Sequence, residues 1–305
     1  MLQLPPRTKL VLRSRVPAAQ VSPWKGHHPT PAHFDVLLTG SVEVRGPAGE
    51  LVCVLLRNVL SEEAVAQALP ELRWMRRFTS DNRGQYAGAR QTGNMVKADG
   101  TRSKSSRALD EDGKRVVVAS MIAGFYEQQG GRHPFCRATG YVRHHPERWA
   151  QLQPLLRECA QVYAQAAPAG YARQMKVVRE THPAWVIPGT PFTTVTVNNT
   201  VAAAYHVDGG DLKDGLGVLL GMEHGSFDGF QLVVPEYRVA VRLQARDVLL
   251  FDPTVWHGNV PPSNALGVQD EDWWRLSVVL YYREGIRGCG SPADELARAK
   301  ERGAL

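Results

Sequence analysis

Three side chains that can bind a metal ion occur as a close pair and a third residue about 50 positions later in the chain. His206 and Asp208 form a His-x-Asp pair, and His257 follows further along. Two imidazoles and one carboxylate make the facial set that holds non-haem Fe(II) and leaves positions open for other ligands. We therefore predict that His206, Asp208 and His257 are iron ligands and catalytic residues. Short pairs also occur by accident, so a plain jelly roll with surface histidines is the alternative.

An Arg-x-Ser pair follows the histidines. If the segment 275–283 is a strand, its alternate side chains face one way. A dicarboxylate suits such a face, because an arginine can fork onto a carboxylate and a serine can donate a hydrogen bond. The residues predicted to share this face are Arg275, Ser277, Val279, Tyr281 and Arg283.

Strands must bring these side chains together. Residues two apart on a strand point to the same side, so a strand through His206 would aim Asp208 at the same ion. The run 246–253 supplies a neighbouring strand that leads to His257. Short strands separated by Gly, Pro and Asp turns indicate a sandwich or jelly roll. Besides the His206 strand, the predicted strands are 34–38, 51–56, 192–199, 215–223, 230–234, 238–243, 247–251 and 275–283.

Helices are predicted around these strands. Ser61 is a good N-cap for a helix that runs towards Arg77, with Pro70 as a kink or break. Pro146 starts a second helix with apolar residues at helical spacing. The remaining predicted helices begin at Tyr171 and after Ser291.

Composition limits the class of protein. With 305 residues and 43% hydrophobic content, the chain can build one substantial core. The net charge of +6 favours polyanionic partners. The chain has no apolar run near 20 residues and no signal peptide, so we expect a cytoplasmic protein without a membrane segment. The four cysteines lack CxxC spacing and are predicted to be reduced thiols.

Two segments outside the predicted core are basic. Residues 1–45 form a Pro-rich arm without an acidic residue before Asp35, either a solvated terminus or an arm along nucleic-acid phosphates. Residues 82–115 are predicted to be a long loop, either solvated or clamped on phosphates. We predict that residues 46–305 are one domain, with its jelly-roll core at about 192–285.

The ligand order followed by Arg-x-Ser resembles the 2-oxoglutarate-dependent Fe(II) dioxygenases. Joined to upstream motifs, the sequence resembles the TET/JBP family of nucleic-acid-base dioxygenases in a compact phage or bacterial form. The resemblance covers residues 78–285. The motifs that carry it are Asn82-Arg83-Gly84, Gly124-Phe125-Tyr126-Glu127, Phe135-Cys136-Arg137-Ala138-Thr139, Tyr171 to Gln174, His206-x-Asp208-x-x-Asp211 and Arg275-x-Ser277-x-Val279-x-Tyr281-x-Arg283.

The resemblance implies an α+β fold with a double-stranded β-helix (jelly roll, cupin-like) core, flanking helices and the long basic loop. It implies Fe(II), 2-oxoglutarate and O2, with Arg275, Ser277 and Asn198 binding 2-oxoglutarate. The partner would be DNA, in which the enzyme, expected to be a monomer, oxidises the 5-methyl group of a flipped-out pyrimidine. The residues implied to bind the substrate are Asp211, Tyr281, Arg283, Val279, Asn82 and Arg83.

Alternatives remain open at three of these positions. Tyr281 could be a core aromatic, Arg283 could form a rim salt bridge, and Asp211 could cap the turn at Gly209-Gly210.

We expect 5-methylcytosine as the target, and thymine is the alternative, because Arg283 stands where the cytosine-oxidising animal enzymes have His. A small-molecule or protein oxygenase and a non-catalytic DNA-binding module are further alternatives.

Overall fold

A computed structural model describes most of the chain. The described residues are 3–80, 84–88, 91–93, 101, 107–109, 112, 114–129, 133–263 and 273–303. The strands are β1 (Thr8–Val11), β2 (Val36–Leu38), β3 (Val42–Arg45), β4 (Leu51–Leu56), β5 (Gln91–Gly93), β6 (Arg107–Leu109), β7 (Ser120–Tyr126), β8 (Arg137–Ala138), β9 (Thr194–Asn199), β10 (Gly217–His224), β11 (Leu232–Val234), β12 (Val239–Val241), β13 (Val248–Phe251), β14 (Gly258–Asn259) and β15 (Trp274–Tyr281). The helices are α1 (Ala18–Val21), α2 (Glu62–Trp74), α3 (Gly140–His144), α4 (Pro146–Ala166), α5 (Pro168–Glu180) and α6 (Pro292–Glu301).

Two sheets pack face to face and enclose a core. The larger sheet has the strand order β1-β3-β4-β13-β10-β15-β9-β7-β8, and the smaller one has the order β14-β11-β12-β2. Apolar side chains from both sheets meet between them, among them Leu55, Leu249, Val234 and Val241. This is the arrangement of a jelly roll, and it leaves space between the sheets where polar side chains replace apolar ones.

Strand β15 lies near the centre of the larger sheet and divides its side chains between two environments. It pairs antiparallel with β10 on one side and with β9 on the other. Leu276, Val278 and Leu280 point outwards into a core that the sheet shares with the helices. The alternate residues therefore point inwards, as the sequence pattern predicts. A slip of one residue in pairing would exchange the two sets.

Helices α2, α4 and α5 cover the outer face of the larger sheet. Leu72 of α2 and Leu152 and Leu156 of α4 are buried in this outer core. Ser61 caps α2 as predicted, but Pro70 does not end the helix, which continues to Trp74. In the part of the chain that the structure describes, no helix combines the length and apolar character that crossing a bilayer requires.

The N-terminal arm contributes strands to both sheets. β1 pairs parallel with β3 at the edge of the larger sheet, and β2 pairs parallel with β12 in the smaller one. Two arm cations are engaged in ion pairs, Arg7 with Glu43 and Arg15 with the buried Glu236. The division of the chain at residue 45 stays a prediction.

The segment 82–115 is more ordered than a plain loop in its described residues. β5 and β6 pair antiparallel in register from Gln91↔Leu109 to Gly93↔Arg107. Strands of three residues without apolar alternation leave no period in the sequence, which is why the prediction missed them.

The prediction of four reduced thiols is wrong for one pair of cysteines. Cys136 and Cys289 form a disulfide, whereas Cys53 and Cys159 are free and buried. The partners are 153 residues apart in sequence, so no local spacing could have revealed them. They meet because the segment after β15 packs against β8, where Trp185, Tyr282 and Ile286 form a small core around the bond.

We expect that replacing Cys136 and Cys289 together by Ser lowers the free energy of unfolding by roughly 2–5 kcal/mol, because the bond restricts the unfolded chain over a long loop. Thermal unfolding of the oxidised wild type and the double variant would measure the difference. In a reducing agent the two proteins should unfold at similar temperatures. Equal midpoints under oxidising conditions would contradict the disulfide.

Candidate metal centre and substrate pocket

The two predicted histidine ligands lie side by side because their backbones pair. His206 N donates to His257 O, and His257 N donates to His206 O, each at 3.0 Å. The pair is an isolated antiparallel bridge, and the ring centroids are 4.2 Å apart. Residues 206–208 therefore do not form the predicted strand. Asp208 is placed instead by its backbone N, which donates to Pro253 O at 3.1 Å just beyond β13.

The three ligand atoms are close enough to share one ion. Asp208 Oδ1 lies 3.6 Å from His206 Nε2, and Asp208 Oδ2 lies 3.6 Å from His257 Nε2. Two ligands that each lie about 2.1 Å from one metal ion can be at most about 4.2 Å apart. Both distances from Asp208 to a histidine satisfy this limit, and all three ligand atoms lie within 4.8 Å of one another, so these residues fit a metal ion. Among the described residues, they are also the one group of His, Cys, Asp and Glu that converges in this way.

Backbone carbonyls fix the orientation of both rings. His206 Nδ1 lies 2.8 Å from Ala204 O, and His257 Nδ1 lies 2.9 Å from Val255 O. A carbonyl can only accept, so each Nδ1 donates to it and Nε2, on the side of Asp208, is the nitrogen placed to bind an ion. This second layer of hydrogen bonds is the usual support of metal-bound histidines.

The segment that carries His206 is held between two neighbours. On one side Asn259 N donates to Ala203 O at 2.6 Å, and Gly258 packs so closely that a Cβ there would lie 3.0 Å from Ala203 O. On the other side Tyr205 pairs with the N-terminal arm, its N donating to His27 O at 2.8 Å. The arm thereby helps to position a metal ligand, a role that the sequence pattern did not indicate.

A cavity of about 200 Å³ opens beside the three ligands. This is many times the space that one water molecule needs, so a small organic cosubstrate can enter. The cavity brings together ten residues predicted to act in the site. They are Asn198, His206, Asp208, Asp211, His257, Arg275, Ser277, Val279, Tyr281 and Arg283.

Arg275 lines the cavity and is 4% exposed. Burial lowers the pKa of its guanidinium to about 10, and the nearby Glu223 opposes that effect. The group therefore stays charged at neutral pH. Its Cζ lies 5.0 Å from the ring centre of Phe230, and within the described ranges no carboxylate is at salt-bridge distance from it. A buried cation of this kind favours an anionic ligand.

A row of polar side chains crosses three strands of the larger sheet. Ser120 on β7 donates to Asn198 Oδ1 at 2.6 Å, and Asn198 Nδ2 donates to Ser277 Oγ at 3.3 Å. Directly paired residues share a face, and Asn198 is paired with both serines. Sequence reasoning missed Ser120, Thr196 and Tyr86, which also line the cavity. The signal for Ser120 was a polar residue that begins an otherwise apolar strand.

Tyr281, Asp211 and Arg283 line the cavity together. Tyr281 is 7% exposed, and its hydroxyl lies 3.1 Å from Thr196 Oγ1. Asp211 and Arg283 form a backbone bridge, which joins the loop after Asp208 to the end of β15. The Arg283 side chain forms a bidentate ion pair with Glu127, a residue to which the sequence analysis gave no role.

Two predicted substrate residues, Asn82 and Arg83, lie outside the described residues, as do most cations of the 82–115 segment. Their roles stay predictions.

The region of the chain that carries this site is similar to known proteins. A family model, Tet_JBP, described as the oxygenase domain of the 2OGFeDO superfamily, matches residues 121–284. Thymine dioxygenase JBP1-B of Trypanosoma cruzi is 35% identical over 192 residues, which cover 61% of this chain and 22% of that protein. The bifunctional helicase and thymine dioxygenase JBP2 of Leishmania tarentolae is 34% identical over 199 residues, 65% of this chain and 17% of that protein. The chain thus spans about a fifth of these relatives.

A solved structure shares the fold. NgTET1 in complex with 5mC DNA superimposes with a TM-score of 0.60 at 11% identity, covering 98% of this chain and 92% of that one. This likeness confirms the predicted double-stranded β-helix core with flanking helices.

We expect His206→Ala and Asp208→Ala to lose Fe(II) binding and all turnover while the fold persists, because each removes one of three ligands. Anaerobic Fe(II) titration, succinate release and circular dichroism would measure the three quantities. His144→Ala, at an exposed histidine on α3, is the matched control and should behave as wild type. Retention of iron by either ligand variant would contradict the assignment.

We expect Arg275→Lys to weaken 2-oxoglutarate binding by about 10- to 100-fold, since a lysine keeps the charge but loses the forked contact. Anaerobic calorimetric titration of 2-oxoglutarate into the Fe(II) protein would give the dissociation constant. Arg287→Lys, at an arginine outside the cavity, should leave it unchanged. Unaltered affinity in Arg275→Lys would show that the acid binds elsewhere.

Proposed function

Because the chain belongs to the TET/JBP family of 2-oxoglutarate- and Fe(II)-dependent oxygenases, we propose that it hydroxylates the 5-methyl group of a pyrimidine flipped out of DNA. The observation that carries the proposal is a single cavity that the metal-binding triad lines together with residues that suit the edge of a base. The triad is His206, Asp208 and His257, and the other residues are Asp211, Tyr281 and Arg283. The names of the curated relatives support it, since they are thymine dioxygenases.

His206, Asp208 and His257 would hold the iron, which with O2 and 2-oxoglutarate supplies the oxidation of a methyl group to hydroxymethyl, releasing succinate and CO2. Arg275 binds the distal carboxylate of 2-oxoglutarate by a charge-assisted contact at a buried position. Ser277 and Asn198 complete the polar wall beside it. These side chains are fixed before the substrate arrives, so little reorganisation is needed on binding.

The base must leave the duplex to bring its methyl carbon to a site enclosed between two sheets. Unstacking costs a few kcal/mol, and stacking on the Tyr281 ring offsets about 1–3 kcal/mol of that cost. The Asp211 carboxylate accepts a hydrogen bond from the edge of the base, and Val279 lies beside the methyl group. The basic arm and the 82–115 segment contact phosphates outside the cavity.

Our first candidate target is 5-methylcytosine, converted to 5-hydroxymethylcytosine and further oxidised products. Thymine is the second candidate, and the identity of the curated relatives favours it. Asp211 can accept from cytosine N4–H and from thymine N3–H alike, so this residue alone does not separate the two bases.

We propose that the enzyme acts on DNA as a monomer. The cytoplasmic location stays a prediction from the sequence, and the Cys136–Cys289 disulfide removes the cysteine argument for it.

We expect the protein, supplied with Fe(II), 2-oxoglutarate and O2, to form 5-hydroxymethylcytosine in a duplex that contains 5-methylcytosine. Mass spectrometry of the digested nucleosides would detect it, with His206→Ala as the inactive control. A product only at thymine would establish the second candidate. Two other results together would indicate a small-molecule or protein substrate. They are succinate release without any oxidised nucleoside, and DNA binding without a steep salt dependence.

A further inference from the structure

The residue after β7, Glu127, holds the arginine at the end of the cavity. We propose that Glu127 is a positioning residue, which cancels the charge of Arg283 and makes it a hydrogen-bond donor for the edge of the base instead of a contact for phosphate. The inference deepens the proposed function and rests on it.

The contact between Glu127 and Arg283 has a fixed geometry. Arg283 Nε donates to Glu127 Oε2, and Arg283 Nη2 donates to Oε1, so the two planar groups meet as a fork. Both side chains are about one-fifth exposed, at 19% and 20%. A pair this sheltered is screened much less by salt than a surface pair, so it orients the guanidinium under ordinary conditions.

Two further contacts fix the pair. The Cζ of Arg283 lies 5.6 Å from the ring centre of Tyr126, and Arg137 lies 4.9 Å from the same ring. The stem of Glu127 packs against the backbone at Gly285, where a Cβ would lie 2.7 Å from Glu127 Cγ. Glycine is therefore required at position 285 for Glu127 to reach the arginine.

Each member of the pair keeps the other charged. Burial acts to raise the pKa of Glu127, but the hydrogen bonds and positive charge of Arg283 outweigh it and hold that pKa below the usual range. Burial acts to lower the pKa of Arg283, and the same contact with Glu127 raises it above its usual value. The pair is thus ionised at neutral pH with a net charge of zero.

The surroundings of the pair suit a base edge better than a phosphate. Asp211 is bridged to Arg283 through the backbone and lines the same cavity. Arg137, the second guanidinium at the Tyr126 ring, donates to Gln129 Oε1 at 2.7 Å. A phosphate carries negative charge and offers only acceptors, so it can form a hydrogen bond with neither the Glu127 nor the Asp211 carboxylate. The pairing edge of a pyrimidine offers a donor next to an acceptor, which matches Asp211 as acceptor and Arg283 as donor. Arg283 has five N–H groups; the fork with Glu127 uses two of them, and a hydrogen bond with Tyr281 engages another, which still leaves donors for the base.

The test is Glu127→Gln, assayed on the DNA that the wild type oxidises. We expect kcat/KM to fall at least tenfold, since the amide has one acceptor oxygen and no charge to hold the fork. The slope of log K for DNA binding against log salt should steepen by up to about one unit, because the released guanidinium can reach a phosphate. Succinate release without DNA should remain at the wild-type rate, since no group next to iron or 2-oxoglutarate changes.

Glu180→Gln is the matched control, because Glu180 forms a 2.6 Å ion pair with Arg287 on the surface and neither residue lines the cavity. It should leave kcat/KM, the salt slope and succinate release unchanged. If Glu127→Gln fails to fold, Glu127→Asp keeps the charge on a shorter stem and should lower kcat/KM without changing the salt slope.

Two results would overturn the inference. One is a Glu127→Gln enzyme with wild-type kcat/KM and salt slope. The other is a parallel loss of DNA-independent succinate release, which would show a general structural role. Failure of the proposed function looks different, because the wild type itself would then oxidise no base in DNA.

Discussion

The reciprocal backbone pair between His206 and His257 is the interaction on which the chemistry of the site depends. Two hydrogen bonds join segments that belong to no long strand, and they set the imidazoles beside each other. The carbonyls of Ala204 and Val255 then choose the nitrogen that each ring presents. Asp208 enters the same space because its own backbone is tied to Pro253. A metal site built this way rests on main-chain contacts, so side-chain substitutions nearby disturb its geometry less than a change in the path of the chain.

Strand β15 supplies side chains that line the cavity next to this centre. Its outward residues are buried beneath the helices, and this burial fixes the register of its inward residues. Arg275 lies near the start of the strand, and Tyr281 and Arg283 lie at its end. One strand therefore sets the separation between Arg275, which we propose binds 2-oxoglutarate, and the proposed base contacts Tyr281 and Arg283. Its partners β9 and β10 restrict any adjustment of that distance.

The sequence was most informative where chemistry and periodicity coincide. Alternation in 275–283 predicted which side chains of β15 line the cavity, and the residue types predicted that His206, Asp208 and His257 converge. Contacts between distant segments left no such trace. The Cys136–Cys289 bond and the polar row through Ser120 arise from packing that no local spacing encodes. The predicted strand through His206 was wrong because this segment forms an isolated bridge and single backbone contacts instead of a regular ladder, and alternation detects only regular strands.

Besides carrying positive charge, the N-terminal arm supports the segment that holds His206. Gly26 and His27 bind the backbone of Tyr205, while the Tyr205 hydroxyl lies 3.0 Å from His33 Nδ1 and the His33 ring stacks on Trp24. The arm thus serves as a brace for the residue next to an iron ligand. Proteolytic cleavage within the arm would remove this support, so we expect it to lower the occupancy of the metal site before it unfolds the jelly roll.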